Sequence, residues 1–143
     1  MDAALSPRLI CHRAADAIAF YQRVFGAEEL ERFATPEGLI VHAGLSIRGS
    51  VFSLADADEP HNRSPTHLGG TPVLFTLRCD DPDAIAREAV AAGATVVIPV
   101  EDRFYGFREG RIRDPFGHLW ILSKPIRTMT PEEIQKGVDE YPS

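Results

Sequence analysis

Apolar residues recur at helical spacing over residues 14 to 25, where Ile18, Tyr21, Val24 and Phe25 share one face and Gly26 stops the helix. On either side the pattern shortens to strand-like runs. Leu9-Ile10-Cys11 reads as a short strand before the helix. Glu29 to Ala34, Leu39 to Ile47 and Ser50 to Ala55 read as three strands after it, punctuated by Pro36-Glu37-Gly38 and Arg48-Gly49. The order then returns. Val73 to Cys79 predicts a strand, Asp81 an N-cap with Pro82 at the first helical position, and Gly93 a helix stop. Thr95 to Val100, Arg111 to Arg113 and His118 to Ser123 complete the second set, with Asp114-Pro115-Phe116-Gly117 as a turn. Thr130-Pro131-Glu132-Glu133 is a capping-box start for a short terminal helix.

The recurrence extends to residue identity. Asp16-Ala17-Ile18-Ala19 returns as Asp83-Ala84-Ile85-Ala86 and Gly26-Ala27 as Gly93-Ala94, both 67 residues on. At an offset of 68, Cys11 comes into register with Cys79, and Gly49 to Leu54 aligns with Gly117 to Leu122, sharing the opening glycine and the closing leucine. One strand-helix-three-strand module is therefore used twice. This predicts an α+β fold of two tandem βαβββ modules that form a cupped mixed sheet with the helices outside, plus a short C-terminal helix. Residues 1–143 are expected to make a single domain: module one over about 6–55, a connector over 56–72, module two over about 73–124, and a tail and helix over 125–143.

Alternation along the strands assigns side chains to faces. Leu39, Val41, Ala43, Leu45 and Ile47 would face the helix, joined by Phe52 and Leu54 and by their mates Trp120 and Leu122. The opposite face would carry Ile40, His42, Gly44 and Ser46, with Val51, Ser53 and Ala55. Ser6, Arg8 and Ile10 join them there. In the second module that face would carry Leu74, Thr76, Arg78, Leu119, Ile121 and Ser123. Small, hydroxyl and medium apolar residues together suit a roomy, mostly apolar ligand cleft.

Composition narrows the function classes. The net charge is −6 and there is no basic stripe, which argues against nucleic-acid binding. No apolar run approaches the ~20 residues of a membrane span, and the N-terminus lacks a signal-peptide core. Two cysteines build no disulfide framework, so a reducing, cytoplasmic setting is expected. Cys11 and Cys79 share a parity with Leu9 and Leu77 and should be buried under the helices, with no activating neighbour in the sequence.

The paired modules, Ala17-Ile18-Ala19-Phe20-Tyr21 followed by Phe25-Gly26-Ala27, and the closing Asp114-Pro115-Phe116-Gly117-His118 resemble the vicinal oxygen chelate superfamily. That group holds the glyoxalases, bleomycin-resistance proteins and extradiol dioxygenases. The stretch from Phe104-Tyr105-Gly106 through Gly110 to Trp120 is similar to its PhnB-like branch, and the resemblance covers roughly residues 6 to 125. The superfamily's metalloenzymes take His or Glu ligands from four strand positions. Counted from these motifs, the positions fall on Ser6, Ser53, Leu74 and Ile121. None is a side chain suited to a catalytic divalent ion, which needs about three protein ligands. The resemblance therefore implies no metal and no cofactor here.

Other chemistry is sparse. His42 lies on the cleft face by alternation, a hydrogen-bonding residue rather than a ligand to metal. His61 and His67 sit in the polar connector, His12 at a strand end, and His118 at a turn where it can satisfy backbone groups. Arg103-Phe104-Tyr105-Gly106-Phe107-Arg108 does not alternate as a strand. Its rings either plug the end of the sheet or line a cleft mouth and stack on a planar ligand. Arg8 and Arg78 could orient an anionic or carbonyl-bearing ligand, or pair with surface acids.

Without ligands for metal, the chain resembles the bleomycin-resistance side of the superfamily, whose members are dimers holding a drug in clefts shared between subunits. The implied function is sequestration of a small aromatic or amphipathic natural product by a homodimer, conferring resistance without catalytic residues. Ligand-binding residues would be Arg8, His42, Ser53, Thr76, Phe104, Tyr105, Phe107 and Ile121, with Ser6 and Gly44 adding room. The alternative is an enzyme: a lyase, isomerase or dioxygenase with relocated metal ligands, or a metal-free isomerase or cyclase using His42 or Tyr105 as acid-base groups.

Overall fold

The computed structural model describes residues 3–142. The chain divides into two compact units, Met1–Val73 with Asp114–His118, and Leu74–Arg113 with Leu119–Ser143. Each unit is built on one four-stranded mixed sheet.

In the first unit, β1 (Arg8–Cys11) leads into α1 (Ala14–Phe25), followed by β2 (Glu28–Ala34), β3 (Ile40–Ile47) and β4 (Ser50–Asp56). The sheet order is β1-β4-β3-β2, with β1 parallel to β4 and the other pairs antiparallel. The helix occupies the span its spacing predicts and ends at Gly26, whose φ of 68° is left-handed. Ile18, Tyr21, Val24 and Phe25 are buried with Leu9, Cys11, Ala43, Leu45, Phe52 and Leu54, so the helix covers the sheet face that alternation assigns to it. The β3–β4 hairpin closes through Arg48 (φ 50°) and Gly49 (φ 87°), two left-handed central residues whose twist matches that of paired strands.

One face assignment fails. Val41 is 46% exposed while Ile40 is buried. The pairing steps from Phe33↔His42 to Ala34↔Ile40, so Val41 is the extra residue of a β-bulge and the inward parity changes there. Asp56 fixes the kink by accepting a hydrogen bond from the Ile40 amide at 2.8 Å. The connector also holds a short helix, α2 (Pro65–Leu68), N-capped by Ser64.

The second unit runs β5 (Leu74–Arg78), α3 (Pro82–Ala91), β6 (Thr95–Asp102), β7 (Phe107–Arg113), β8 (Leu119–Pro125) and α4 (Pro131–Glu140). Its sheet order, β5-β8-β7-β6, repeats that of the first. Asp81 caps α3 by accepting from the Ala84 amide, and Thr130 and Glu133 form the reciprocal capping box of α4. Trp120 and Leu122 are buried on the α3 side of this sheet, and Phe75 packs 5.1 Å from the Trp120 ring. β7 begins four residues before the predicted Arg111, and that extension carries the site. Among the described residues, no helix is long and apolar enough to cross a membrane.

Candidate functional site

The open face of the second sheet carries a polar row across three strands. Arg78 on β5 lies opposite Ser123 on β8, which lies opposite Glu109 on β7. The Arg78 guanidinium donates to the Ser123 hydroxyl, and Ser123 donates to Glu109 Oε2 at 2.5 Å. Tyr105 donates to the other oxygen, Oε1, also at 2.5 Å. Glu109 is thereby held on both oxygens. The Tyr105 phenol is pushed up to about 12, first by burial and then by its bond to the Glu109 carboxylate. Phe107 completes the row by stacking under the Arg78 guanidinium, 4.4 Å from the ring centroid.

Beside this row opens a cavity of about 840 Å³. Its floor is Ile98, Glu109, Gly110, Arg111 and Ile121 on three adjacent strands, and its wall is Asp102, Arg103, Phe104 and Tyr105 with Val138 and Tyr141 of α4. The 103–106 turn is fastened from two directions. Arg103 Nε and Nη2 donate to the Glu109 carbonyl, and the Gly106 carbonyl accepts from the Ile126 and Arg127 amides. That second attachment leads the chain towards α4. Phe104 seats the helix: its ring lies where a Cβ on Gly137 would be 2.4 Å away, and it packs 5.4 Å from the Tyr141 ring. Only glycine at 137 admits this approach.

Three of the four charged groups lining the cavity are partnered. Asp102 is gripped by Arg108, which also holds Asp83 through two bonds of 2.7 and 2.8 Å; this pairing keeps the Asp83 carboxyl below its usual range. Arg103 and Glu109 are held as described. Arg111 differs: among the described residues its Nε is buried with no hydrogen-bond partner. Its neighbours in the strand register are Ile98 and Ile121, which offer the side chain no acceptor.

The first unit bears a second polar cluster. Arg8 Nη1 lies 3.0 Å from His42 Nδ1 and 3.3 Å from Ser53 Oγ, and Nη2 donates to the Val41 carbonyl. His42 Nε2 lies 3.1 Å from Glu31, and Phe33 stacks on the imidazole. Glu31 lies over Gly44, where a Cβ would stand 3.4 Å from its side chain. The pairs Ala43↔Leu54 and Gly110↔Leu122 make His42 and Glu109 equivalent positions of the two sheets.

The predicted ligand-binding residues thus separate into two groups. Arg8, His42 and Ser53 come together in the first unit. In the second, Phe104, Tyr105 and Ile121 line the cavity, Phe107 supports it, and Thr76 is exposed on β5 beside Ile121. Sequence reasoning missed Glu109, Arg111, Arg103, Asp102 and the two residues from α4. His118 Nε2 sits 2.8 Å from the Ile10 carbonyl. Ser6, Ser53, Leu74 and Ile121 do not fit a divalent ion: two are alkyl, and Ser53 Oγ already accepts from Arg8. Among the described residues no three His, Cys, Asp or Glu side chains group as metal ligands.

The family model described as Glyoxalase/Bleomycin resistance protein/Dioxygenase superfamily matches residues 5–122. An uncharacterized protein of Mycobacterium bovis, Mb0911c, is 45% identical over 140 residues, covering 94% of this chain and 91% of that protein. Among solved structures, the Arabidopsis thaliana gene product At5g48480 superposes with a TM-score of 0.68 at 29% identity, covering 86% of this chain and 99% of that one. TioX from Micromonospora sp. ML1 superposes with a TM-score of 0.68 at 28% identity, covering 87% and 100%.

Proposed function

The chain belongs to the Glyoxalase/Bleomycin resistance protein/Dioxygenase superfamily, and we propose that it holds a small planar natural product, chemically unchanged, in the cavity of its second unit. The observation that carries this reading is the cavity itself. At about 840 Å³ it is within the range of drug-sized sites, and three rings, Phe104, Tyr105 and Tyr141, line it beside a few placed polar groups. The superfamily includes both resistance proteins and enzymes. Here the four positions that would supply metal ligands carry Ser, Ser, Leu and Ile, which favours binding over metal chemistry.

The protein acts as a cytoplasmic homodimer in this reading, with residues 1–143 as one domain. Large apolar side chains stand exposed on each sheet's open face: Phe33 and Val51 on the first, Leu74 and Ile98 on the second. A second copy would cover them. Sequestration then confers resistance without turnover.

The metal-free enzyme reading rests on the 2.5 Å contact between Tyr105 and Glu109. A phenol pushed up to about 12 keeps its proton near neutral pH, so Tyr105 serves as a fixed donor and not as a base. The deciding experiment is incubation of the protein with its bound molecule, followed by extraction and mass analysis. Recovery of the molecule unchanged supports sequestration. A product formed faster than in a protein-free control overturns it.

A further inference from the structure

The sheet of the second unit slips register beside the cavity, and one side chain spans the slip. From Ile98↔Arg111 to Glu101↔Glu109, β6 advances three residues while β7 advances two. The strands crowd there: a Cβ on Gly110 would stand 2.8 Å from both the Ile98 carbonyl oxygen and the Val100 nitrogen. The Arg103 guanidinium donates to the Pro99 carbonyl on β6. Through Nε at 3.1 Å and Nη2 at 3.0 Å it also donates to the Glu109 carbonyl on β7. Nη1 lies 3.3 Å from the Glu101 carboxylate. Each guanidinium nitrogen thus has a protein acceptor, although Arg103 lines the cavity. The backbone of the same residue closes the turn that carries Tyr105. Its amide donates to the Phe107 carbonyl at 2.7 Å, and its carbonyl accepts from the Gly106 amide at 3.2 Å.

We propose that Arg103 is the positioning residue of this cavity: it locks the Tyr105 turn to β7 and so presents Tyr105 and Glu109 preformed to a flat ligand. Glu109 is tied at its carbonyl by Arg103 and at its carboxylate by Tyr105, which closes turn and strand into one ring of contacts. Reaching both strands at once takes the rigid planar fork of a guanidinium, which a lysine ammonium does not supply. A wall fixed in advance spares the ligand the entropy of ordering it. The repeat separates this role from that of building the turn. In the first unit Thr35 stands in the same place, its amide donating to the Leu39 carbonyl and its carbonyl accepting from the Gly38 amide. The Thr35 side chain reaches only the Leu39 amide within that turn. The turn therefore forms without an arginine, and only in the second unit does its first side chain bridge the sheet.

This inference rests on the proposed binding function, and its first test needs no ligand. Burial first, then the bond to Glu109 and its charge, hold the Tyr105 proton in place, whereas the Arg103 charge acts to release it. Removing the charge alone would push the Tyr105 titration above about 12; losing the position lowers it towards the ordinary tyrosine value of about 10. The two roles thus predict opposite signs. In Arg103→Met, with the matching Tyr105→Phe double variant subtracted, the ultraviolet step should fall towards the ordinary value. Calorimetric affinity for 2-naphthamide, a neutral planar probe, should fall at least tenfold. Arg103→Lys keeps the charge, serves if the methionine variant fails to fold, and should move both readouts in the same direction. A step that stays or rises, or a fallen step with unchanged probe affinity, overturns the positioning role. Failure of 2-naphthamide to bind the wild type overturns the aromatic-cavity reading instead, and the Tyr105 step alone then decides whether Arg103 sets the wall.

Discussion

Tyr21 donates a 2.5 Å hydrogen bond to Asp114 Oδ2, joining residues 93 apart in the chain inside the first unit's core. The other carboxylate oxygen, Oδ1, accepts from the Phe116 and His118 amides. One buried side chain therefore shapes the Asp-Pro-Phe-Gly turn and ties it to α1. Removing the phenol leaves a buried acceptor short of a donor, which costs about 1–3 kcal/mol. Tyr21→Phe should lower the urea-unfolding free energy by that amount, and Asp114→Ala, which also loses the bonds to the Phe116 and His118 amides, by more. A Tyr21→Phe variant as stable as wild type would show that this bond does not hold the turn.

Tyr105 gives a pH prediction with a definite sign. Its folded value, about 12, lies above the ordinary tyrosine value of about 10, so the folded state holds the proton longer than the unfolded chain. Its contribution to stability is complete below pH ~10 and is lost as pH rises from about 10 to about 12. Subtracting the ultraviolet titration of Tyr105→Phe from that of wild type should isolate a step near the upper value. In Glu109→Gln the step should move down, because both the hydrogen bond and the negative charge of Glu109 hold the proton in place. An isolated step at ordinary tyrosine values would refute the contact.

The docking of α4 depends on Gly137. Alanine there favours the helix by about 1 kcal/mol in isolation, yet its Cβ would stand 2.4 Å from the Phe104 ring. Gly137→Ala should therefore free α4 from the cavity wall. Because α4 has no buried residue, global stability should change by less than about 0.5 kcal/mol. Protease cleavage beyond residue 127 should accelerate, and ligand affinity should fall with the loss of Val138 and Tyr141. Unchanged protection in the variant would mean that Phe104 does not seat the helix.

Both cysteines should resist thiol reagents in the native protein. Cys11 has no exposed surface, and burial, then the Asp114 and Asp56 charges, push its thiol up and keep it protonated. Cys79 is 7% exposed. Labelling should accelerate sharply on adding denaturant; prompt labelling of Cys11 without denaturant would contradict this packing.

The sequence made the repeat, both long helices and their caps legible, because α1 and α3 carry their own stop and start signals at Gly26, Asp81 and Pro82. Alternation failed at Val41, where a bulge supplied by the β2 pairing inserts a residue that no local pattern marks. It also stopped short on β7. The aromatic run from Phe104 to Phe107 hid the strand's start, although Glu109 and Arg111 share the two-residue alternation that would have placed both on the open face. The α4 wall was out of reach for a different reason. Thr130 and Glu133 announce a helix, but where it docks is decided by a gap over Gly137 that Phe104 fills.

Native mass spectrometry of the purified protein, set against its denatured mass, tests the central claim most directly. Sequestration predicts a dimer of twice 15.7 kDa carrying a small organic molecule that is lost on denaturation. One divalent metal ion per subunit, retained through desalting, would contradict it and return the chain to the enzymes of its superfamily.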